Sequence, residues 1–233
     1  MPARATPPED SPFVWHDSAD EPIHDWSRPH AWFCNLDVAS ERGFDDLASL
    51  SRDEQQRAGR LKSRELQRRF IASRQVLRRG LARYLMSDPS DIQLDLGPFG
   101  KPFVVKPSNE LANRLRFNLS HSEHLLMLAV TLDHQVGTDI EVLREDLDWL
   151  LIAESHFTTA EIVHLAHVPD AERSREFYCL WTRHEALAKC AGRGIVQPQT
   201  LCSTNDLFEN AWSFGDTHAV SAICLTMPSI LSR

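Results

Sequence analysis

A long helical pattern followed by strand patterns is the feature that most limits how this chain can fold. From Asp46 to about Met86 the apolar residues recur at helical spacing and predict one or two amphipathic helices. Three strands are then predicted, at 115–119, 125–130 and 135–142. The apolar stripe of the helices comprises Leu66, Phe70, Leu77, Leu81 and Leu85. Because such a stripe must be buried against another layer, the order of elements favours an α+β protein.

The second half of the chain repeats this order. Helical patterns near 147–166 and 171–191 precede a strand around 219–225. We therefore predict two similar α/β lobes in a pseudo-twofold arrangement, residues 29–130 and 131–233. Residues 1–28 carry five prolines and six acidic side chains, which predicts a flexible N-terminal tail. Ordered structure is predicted to begin with a strand at Ala31–Val38.

Charge and cysteine content exclude several classes of protein. The chain has 33 acidic and 25 basic residues and a net charge of -8, which argues against nucleic-acid binding as its main role. Its five cysteines are widely spaced without a CxxC pair, so neither a disulfide framework nor a zinc ribbon is indicated. No stretch approaches the ~20 apolar residues that a membrane span needs. We expect a cytoplasmic protein that is neither exported nor membrane-bound.

Two carboxylates lie on one face of the strand predicted at 135–142. Strand alternation places Gly137, Asp139 and Glu141 together, with the two acidic residues about 6.8 Å apart at their Cα atoms. Both side chains could reach one hard cation, which would relieve their mutual repulsion. The alternative is a strand whose charges simply face solvent.

The predicted helix at 171–191 carries a second polar set. Trp181, Glu185 and Lys189 share one face at positions i, i+4 and i+8. Glu185 and Lys189 are either a surface pair that contributes about 0.3 to 0.5 kcal/mol, or a third metal carboxylate and a phosphate-binding cation.

Two further segments suit phosphate binding. Between Arg57 and Arg83 there are ten basic residues and one acidic residue, Glu65, so the polar face of this helical region is cationic. The segment Ser120-His121-Ser122 offers hydrogen-bond donors between two strands. A solvated helix face and an ordinary polar turn are the alternatives.

Taken together, four motifs resemble the Sfp-type 4′-phosphopantetheinyl transferases between about residues 57 and 196. They are Gly100-Lys101-Pro102, Phe117-Asn118-Leu119-Ser120-His121-Ser122, Gly137-Thr138-Asp139-Ile140-Glu141, and Trp181-Thr182-Arg183-His184-Glu185-Ala186-Leu187-Ala188-Lys189 with Gly192 and Gly194. The resemblance implies two lobes with the site in the cleft between them, a monomer, and a magnesium-dependent enzyme. It also implies transfer of phosphopantetheine from coenzyme A to a serine of an acyl or peptidyl carrier protein, which releases 3′,5′-ADP. Fatty acid, polyketide and nonribosomal peptide carriers all offer such a serine.

The resemblance also assigns roles to residues. Magnesium would be held by Asp139, Glu141 and Glu185, and the catalytic set would be Asp139, Glu185 and Lys189. Contacts to the phosphates of coenzyme A would come from Lys101, Ser120, His121 and Lys189. For its 3′-phosphate, Arg69 is the first candidate, followed by Arg64 and Arg74. Which group takes the serine proton stays open, and Glu185 is a candidate that could act directly or through a metal-bound water.

One departure from the family pattern concerns His184, where lysine is usual. An imidazole is only partly charged near neutral pH, so activity is expected to be weaker or more pH-dependent. The motif at Phe157–Glu161 places Glu161 near the site. Alternatives are a noncatalytic relative that binds coenzyme A or a carrier, and a metal-dependent phosphatase or nuclease. A third is a zinc protein built on His156, His164 and His167, whose spacing matches no common ligand pattern.

Overall fold

The computed structural model describes residues 13–16, 19, 23, 25, 28–144, 146–192, 211–215 and 218–226. It is a mixed α+β protein whose chain divides into two units, with the division at Asp133/His134. No helix among the described residues is long and apolar enough to cross a membrane.

The first unit is built on a four-stranded sheet in the order β1-β2-β6-β5. Its strand β1 runs parallel to β2, and the other neighbours are antiparallel. A separate hairpin is formed by β3 and β4. The strands are β1 (Val14–His16), β2 (His30–Asn35), β3 (Gln93–Leu96), β4 (Pro102–Lys106), β5 (Leu115–Ser122) and β6 (Leu125–Leu132).

Four helices belong to the same unit: α1 (Leu36–Glu41), α2 (Arg52–Arg60), α3 (Arg64–Leu85) and α4 (Glu110–Arg114). The predicted helical region is therefore two helices, each begun by a serine cap, Ser51 and Ser63. Leu77, Leu81 and Leu85 of α3 are buried in the core with β6 side chains, as the stripe predicted. Two residues of the stripe differ: Leu66 is 52% exposed at the start of α3, and Phe70 is partly buried against a separate small cluster.

The N-terminal part of this unit differs from the sequence prediction in two places. Val14–His16 lies in the segment predicted to be a flexible tail, yet it pairs with β2, and the His16 and His30 side chains meet at 2.6 Å. Strand β2 ends at Asn35, whereas a strand to Val38 was predicted. The Asn35 side chain accepts hydrogen bonds from the backbone of Asp37 and Val38 and so starts a helix there.

The second unit contains a three-stranded antiparallel sheet in the order β7-β9-β8. Its elements are β7 (Val136–Val142), α5 (Trp149–His156), α6 (Thr159–His167), α7 (Asp170–Cys190), β8 (Ala211–Gly215) and β9 (Ala219–Leu225). The helical pattern predicted at 147–166 is two helices, because a capping box between Thr158 and Glu161 starts α6.

Helix α7 packs directly on β7 in this unit. A Cβ atom at Gly137 would overlap the carbonyl oxygen of Ala186 and the backbone nitrogen of Cys190. Only glycine allows the helix to approach the strand this closely. This contact fixes which residues of α7 face the middle of β7.

Candidate functional site

Asp139 and Lys189 form the centre of the candidate site in the second unit. Lys189 Nζ lies 2.5 Å from Asp139 Oδ1 and 3.8 Å from Glu185 Oε2. One ammonium group therefore lies within reach of two carboxylates, one from β7 and one from α7. The predicted catalytic residues Asp139, Glu185 and Lys189 are brought together by the structure.

Strand alternation and the close approach of α7 explain this arrangement. Gly137 and Asp139 lie on the same face of β7, and Gly137 is where α7 touches the strand. Asp139 is consequently buried, with 3% of its surface exposed. The alternative prediction, a strand with its charges in solvent, does not hold for Asp139.

Glu185 is held in an unusual electrostatic environment. Burial raises the pKa of its carboxyl above the usual range, the Lys189 charge partly offsets that shift, and the Asp139 charge adds to it. Two neighbouring carboxylates repel each other and favour a cation between them. The site can therefore hold positive charge, whether from Lys189 or from a metal ion.

The third predicted ligand, Glu141, lies two residues further along the same strand. Burial raises the pKa of Tyr178 on α7, and the nearby charge of Glu141 adds to this shift. Within the described ranges, no three His, Cys, Asp or Glu side chains lie close enough to hold a metal ion. The oxygen donors of Asp139 and Glu185 fit a hard divalent cation in their chemistry. A site with all three carboxylates stays a prediction.

His184, the departure from the family pattern, has defined partners. Its Nε2 atom lies 2.7 Å from Glu161 Oε1, and its ring stacks on Phe157 with 5.3 Å between centroids. Burial would raise the pKa of Glu161, but hydrogen bonds from His184 and Thr158 outweigh it and lower the pKa to about 2. His184 therefore joins α7 to the start of α6.

The histidines of the zinc alternative are not assembled. His156 packs edge-on against Trp181, His164 lies 3.0 Å from Glu176, and His167 contacts the Val163 carbonyl in its own helix. Each is explained by local packing on a helix.

In the first unit, the predicted phosphate-binding residues lie at the end of a strand and in a turn. Ser120 and His121 belong to β5, which extends to Ser122, so the segment predicted as a turn is largely strand. Ser120 is buried and His121 is exposed. Lys101 follows Gly100, whose φ of 77° suits glycine in the β3–β4 turn.

Arg69, the first candidate for the 3′-phosphate, is already bound by two carboxylates. Its Nε and Nη2 atoms donate to Asp37 at 2.8 Å each, and Nη2 lies 2.6 Å from Glu65. This fork geometry is the strong form of an arginine–carboxylate pair. Arg64, the second candidate, is exposed at the start of α3.

Arg74, the third candidate, lies in a different setting. Its guanidinium is 5.7 Å from the centre of the Phe70 ring, and the guanidinium of Arg57 is 5.2 Å from the same centre. Burial lowers the pKa of Arg74, Glu54 partly offsets this, and Arg57 adds to it. Among the described residues neither arginine has an ion-pair partner, and Glu54 is paired with Arg78. The sequence analysis counted Arg57 in the basic stretch but did not single it out as a candidate.

Comparison with known protein families gives two matches that together span most of the chain. Residues 135–225 match the 4′-phosphopantetheinyl transferase superfamily. Residues 39–133 match the family described as 4′-phosphopantetheinyl transferase, N-terminal. Both matches agree with the resemblance found in the four motifs.

Individual proteins similar to this chain carry the same family name. The 4′-phosphopantetheinyl transferase HetI of Nostoc sp. is 37% identical over 172 residues, which are 74% of this chain and 72% of the relative. The 4′-phosphopantetheinyl transferase gsp of Aneurinibacillus migulanus is 30% identical over 66% of this chain and 62% of its own length. A 4′-phosphopantetheinyl transferase of Bacillus subtilis is 26% identical, over 65% of this chain and 64% of its own length.

Proposed function

Because the chain belongs to the 4′-phosphopantetheinyl transferase superfamily, we propose that it transfers the phosphopantetheine arm of coenzyme A to a serine of an acyl or peptidyl carrier protein. The serine oxygen forms a bond to the β-phosphorus of coenzyme A, and the bond from that phosphorus to the bridging oxygen breaks. The products are holo carrier protein and 3′,5′-ADP.

The observation that carries this proposal is the assembly of Asp139, Glu185 and Lys189 around one positive charge. Phosphoryl-type transfer builds negative charge on phosphate oxygens, and catalysis depends on groups placed to receive that charge. Lys189 keeps 30% of its side-chain surface exposed, which supports a role for its ammonium in contacting an incoming phosphate.

We infer that Asp139 and Glu185, with Glu141, hold magnesium when coenzyme A binds. When bound, the ion supplies positive charge that orients the pyrophosphate and neutralises charge on its oxygens. The supporting observations are that Lys189 Nζ lies 2.5 Å from Asp139 and 3.8 Å from Glu185, and that burial raises the pKa of Glu185. Lys189 must then release Asp139 and turn toward the phosphates.

Glu185 is also the proposed acceptor of the serine proton. A base works best when its pKa lies closer to the operating pH, and burial raises the pKa of Glu185 in that direction. Glu185 lies one turn of α7 before Lys189, so the proposed base is next to the ammonium that would stabilise the developing negative charge.

For coenzyme A itself, we propose that Arg74 and Arg57 bind the 3′-phosphate in preference to Arg69. Two guanidinium groups beside one ring, neither with an ion-pair partner in the described part of the chain, support a site for a divalent anion. Lys101, Ser120 and His121 stay proposed contacts to the phosphates.

Two organisational features complete the proposal. In each unit the strand that precedes the helices pairs antiparallel with the last strand, as β2 does with β6 and β7 with β9. This shared topology supports two related lobes in a pseudo-twofold arrangement. We further propose that the protein acts as a monomer in the cytoplasm, in keeping with a sequence whose five cysteines are widely spaced and contain no CxxC pair.

The release of 3′,5′-ADP tests the proposal. Coenzyme A and magnesium are incubated with the protein, with and without an apo carrier protein, and the nucleotide products are separated by chromatography. We expect 3′,5′-ADP only when the carrier is present, and none with a carrier whose acceptor serine is replaced by alanine. Release without any carrier would instead indicate a phosphatase, the second candidate.

A further inference from the structure

A network of hydrogen bonds in the first unit connects the start of α1 to the turn between β5 and β6. The backbone nitrogen of Leu36 donates to the His124 carbonyl at 2.7 Å. Asn35 and Leu125 are register partners, so the end of β2 lies beside the start of β6. The first turn of α1 is thus attached to the turn that follows the predicted phosphate-binding strand end.

The turn between β5 and β6 has a strained backbone, which the hydrogen bond from Leu36 helps to hold. Ser122 pairs with Leu125, which leaves Glu123 and His124 as a two-residue connection. Glu123 has a φ of 51°, a left-handed conformation that costs free energy for a residue with a Cβ atom. Only Ser122 separates Ser120 and His121 from this turn, so we expect their orientation to depend on how firmly the turn is held.

Arg69 of α3 also contacts the first turn of α1. Its fork binds both carboxylate oxygens of Asp37, the second residue of α1, and Glu65 one turn earlier in α3 binds it as well. Charged residues of the turn add to the pKa shifts of Asp37 and Arg69. The Arg69 hydrogen bonds lower the pKa of Asp37 and His124 adds to that shift, while Asp37 raises the pKa of Arg69 and Glu123 adds to it.

We propose that Arg69 is a positioning residue for the transfer reaction, which acts through Asp37 and the first turn of α1 to hold Ser120 and His121 in place. The inference rests on the proposed function. It reassigns Arg69 from a ligand of the 3′-phosphate to a support for residues that contact phosphate. With two of its three nitrogens on carboxylates and 18% of its side chain exposed, Arg69 is poorly placed to take a further anion.

Two variants separate positioning from phosphate binding. Asp37→Asn keeps the shape of the side chain but removes its charge, and Arg69→Gln removes the fork. Values of kcat and KM are measured for coenzyme A and for 3′-dephospho-coenzyme A at a temperature where every variant is folded. Arg52→Gln, an exposed arginine on α2, is the matched control.

The proposal expects both variants to lower kcat by about 10- to 100-fold, and by similar factors with either form of coenzyme A. The kcat of the double variant should fall no further than that of the more impaired single variant, because both substitutions disrupt the same Arg69–Asp37 interaction. A loss of preference for coenzyme A over its dephospho form in Arg69→Gln, with normal kinetics in Asp37→Asn, would overturn the proposal.

Hydrogen–deuterium exchange of the peptide spanning residues 115–125 gives a readout that does not need activity. Faster exchange in both variants than in Arg52→Gln is expected. Unchanged exchange in both would overturn the coupling even if transfer is impaired. Absence of transfer by the wild-type protein would refute the proposed function and would leave the exchange result to decide the coupling.

Discussion

Lys189 Nζ lies 2.5 Å from Asp139 Oδ1 and joins the last turn of α7 to the middle of β7. The Asp139 side chain is 4% exposed, so its charge depends on this partner. Removing one member of a buried pair leaves the other uncompensated, which typically costs about 3 to 5 kcal/mol. Here the cost falls mainly on Asp139, because the Lys189 ammonium can reach water.

Asp139→Asn should therefore abolish transfer without unfolding the protein. Asparagine keeps the shape of the side chain and a hydrogen bond to Lys189, but it loses the charge that would hold magnesium. We expect transfer to fall by at least about 10²-fold and any magnesium-induced rise in melting temperature to disappear. Asp146→Asn, on an exposed residue, is the control. Wild-type turnover in Asp139→Asn would refute the metal assignment.

Gly137→Ala should disrupt the contact between β7 and α7. The added methyl group would overlap backbone atoms of Ala186 and Cys190, which cannot move without displacing the helix. A loss of about 3 kcal/mol or more in unfolding free energy is expected from denaturant titration. Gly59→Ala is the opposite case, because a Cβ atom there meets nothing within 4 Å inside α2. The unfolding free energy of that variant should rise by about 0.5 to 1 kcal/mol. Equal effects of the two substitutions on stability would contradict the packing account.

Much of the fold could be predicted from periodicity, and the exceptions have local causes. The apolar stripes located α3 and α7, and the strand patterns located β5, β6, β7 and β9. The helix α1 was missed because its β-favouring residues are overruled by the cap from Asn35. The strand β1 was missed because its partner β2 is parallel and separated by a proline-rich segment, so no hairpin pattern marks it.

Arg57→Gln and Arg74→Gln should each weaken the binding of coenzyme A. If these guanidinium groups hold the 3′-phosphate, KM for coenzyme A should rise by about 10-fold or more, with little change in kcat. The effect should be absent with 3′-dephospho-coenzyme A, which lacks the group that they bind. Equal increases for both substrates would show that the two arginines act elsewhere.

The stability of the protein should fall in acid through Glu161. Its pKa is lowered from the model-compound value of 4.5 to about 2 in the folded chain, so its contribution is complete above pH 4.5. The contribution is lost as the pH falls from about 4.5 toward 2, because the unfolded chain takes up the proton first. Glu161→Gln should flatten this part of the curve of unfolding free energy against pH. An unchanged slope would contradict the role of the His184 hydrogen bond.

His184→Lys tests the departure from the family pattern. Lysine can keep an ion pair with Glu161 but cannot stack on Phe157. If the residue at this position contributes charge to phosphate or carrier binding, the rate of transfer between about pH 6 and 8 should depend less on pH in the variant. Identical pH profiles would show that the charge at this position does not affect transfer.

The sequence identified the carboxylates of the candidate site but could not show which arginines are available to bind an anion. Strand and helix periods grouped Asp139 with Glu141 and Glu185 with Lys189, and only the family resemblance joined the two groups. The close packing at Gly137 is what lets α7 approach β7. Sequence could not rank the arginines, because the partner of Arg69 is Asp37, 32 residues away in another helix. Which arginine is neutralised depends on tertiary contacts, and no local pattern shows it.

The most direct test of the central claim is the intact mass of an apo acyl or peptidyl carrier protein after incubation with this protein, coenzyme A and magnesium. The account predicts an increase of one phosphopantetheine on the acceptor serine, and no increase when EDTA is added or when Asp139→Asn replaces the wild-type protein. An unchanged mass across a panel of acyl and peptidyl carriers, with protein shown to be folded, would contradict it and indicate a noncatalytic relative.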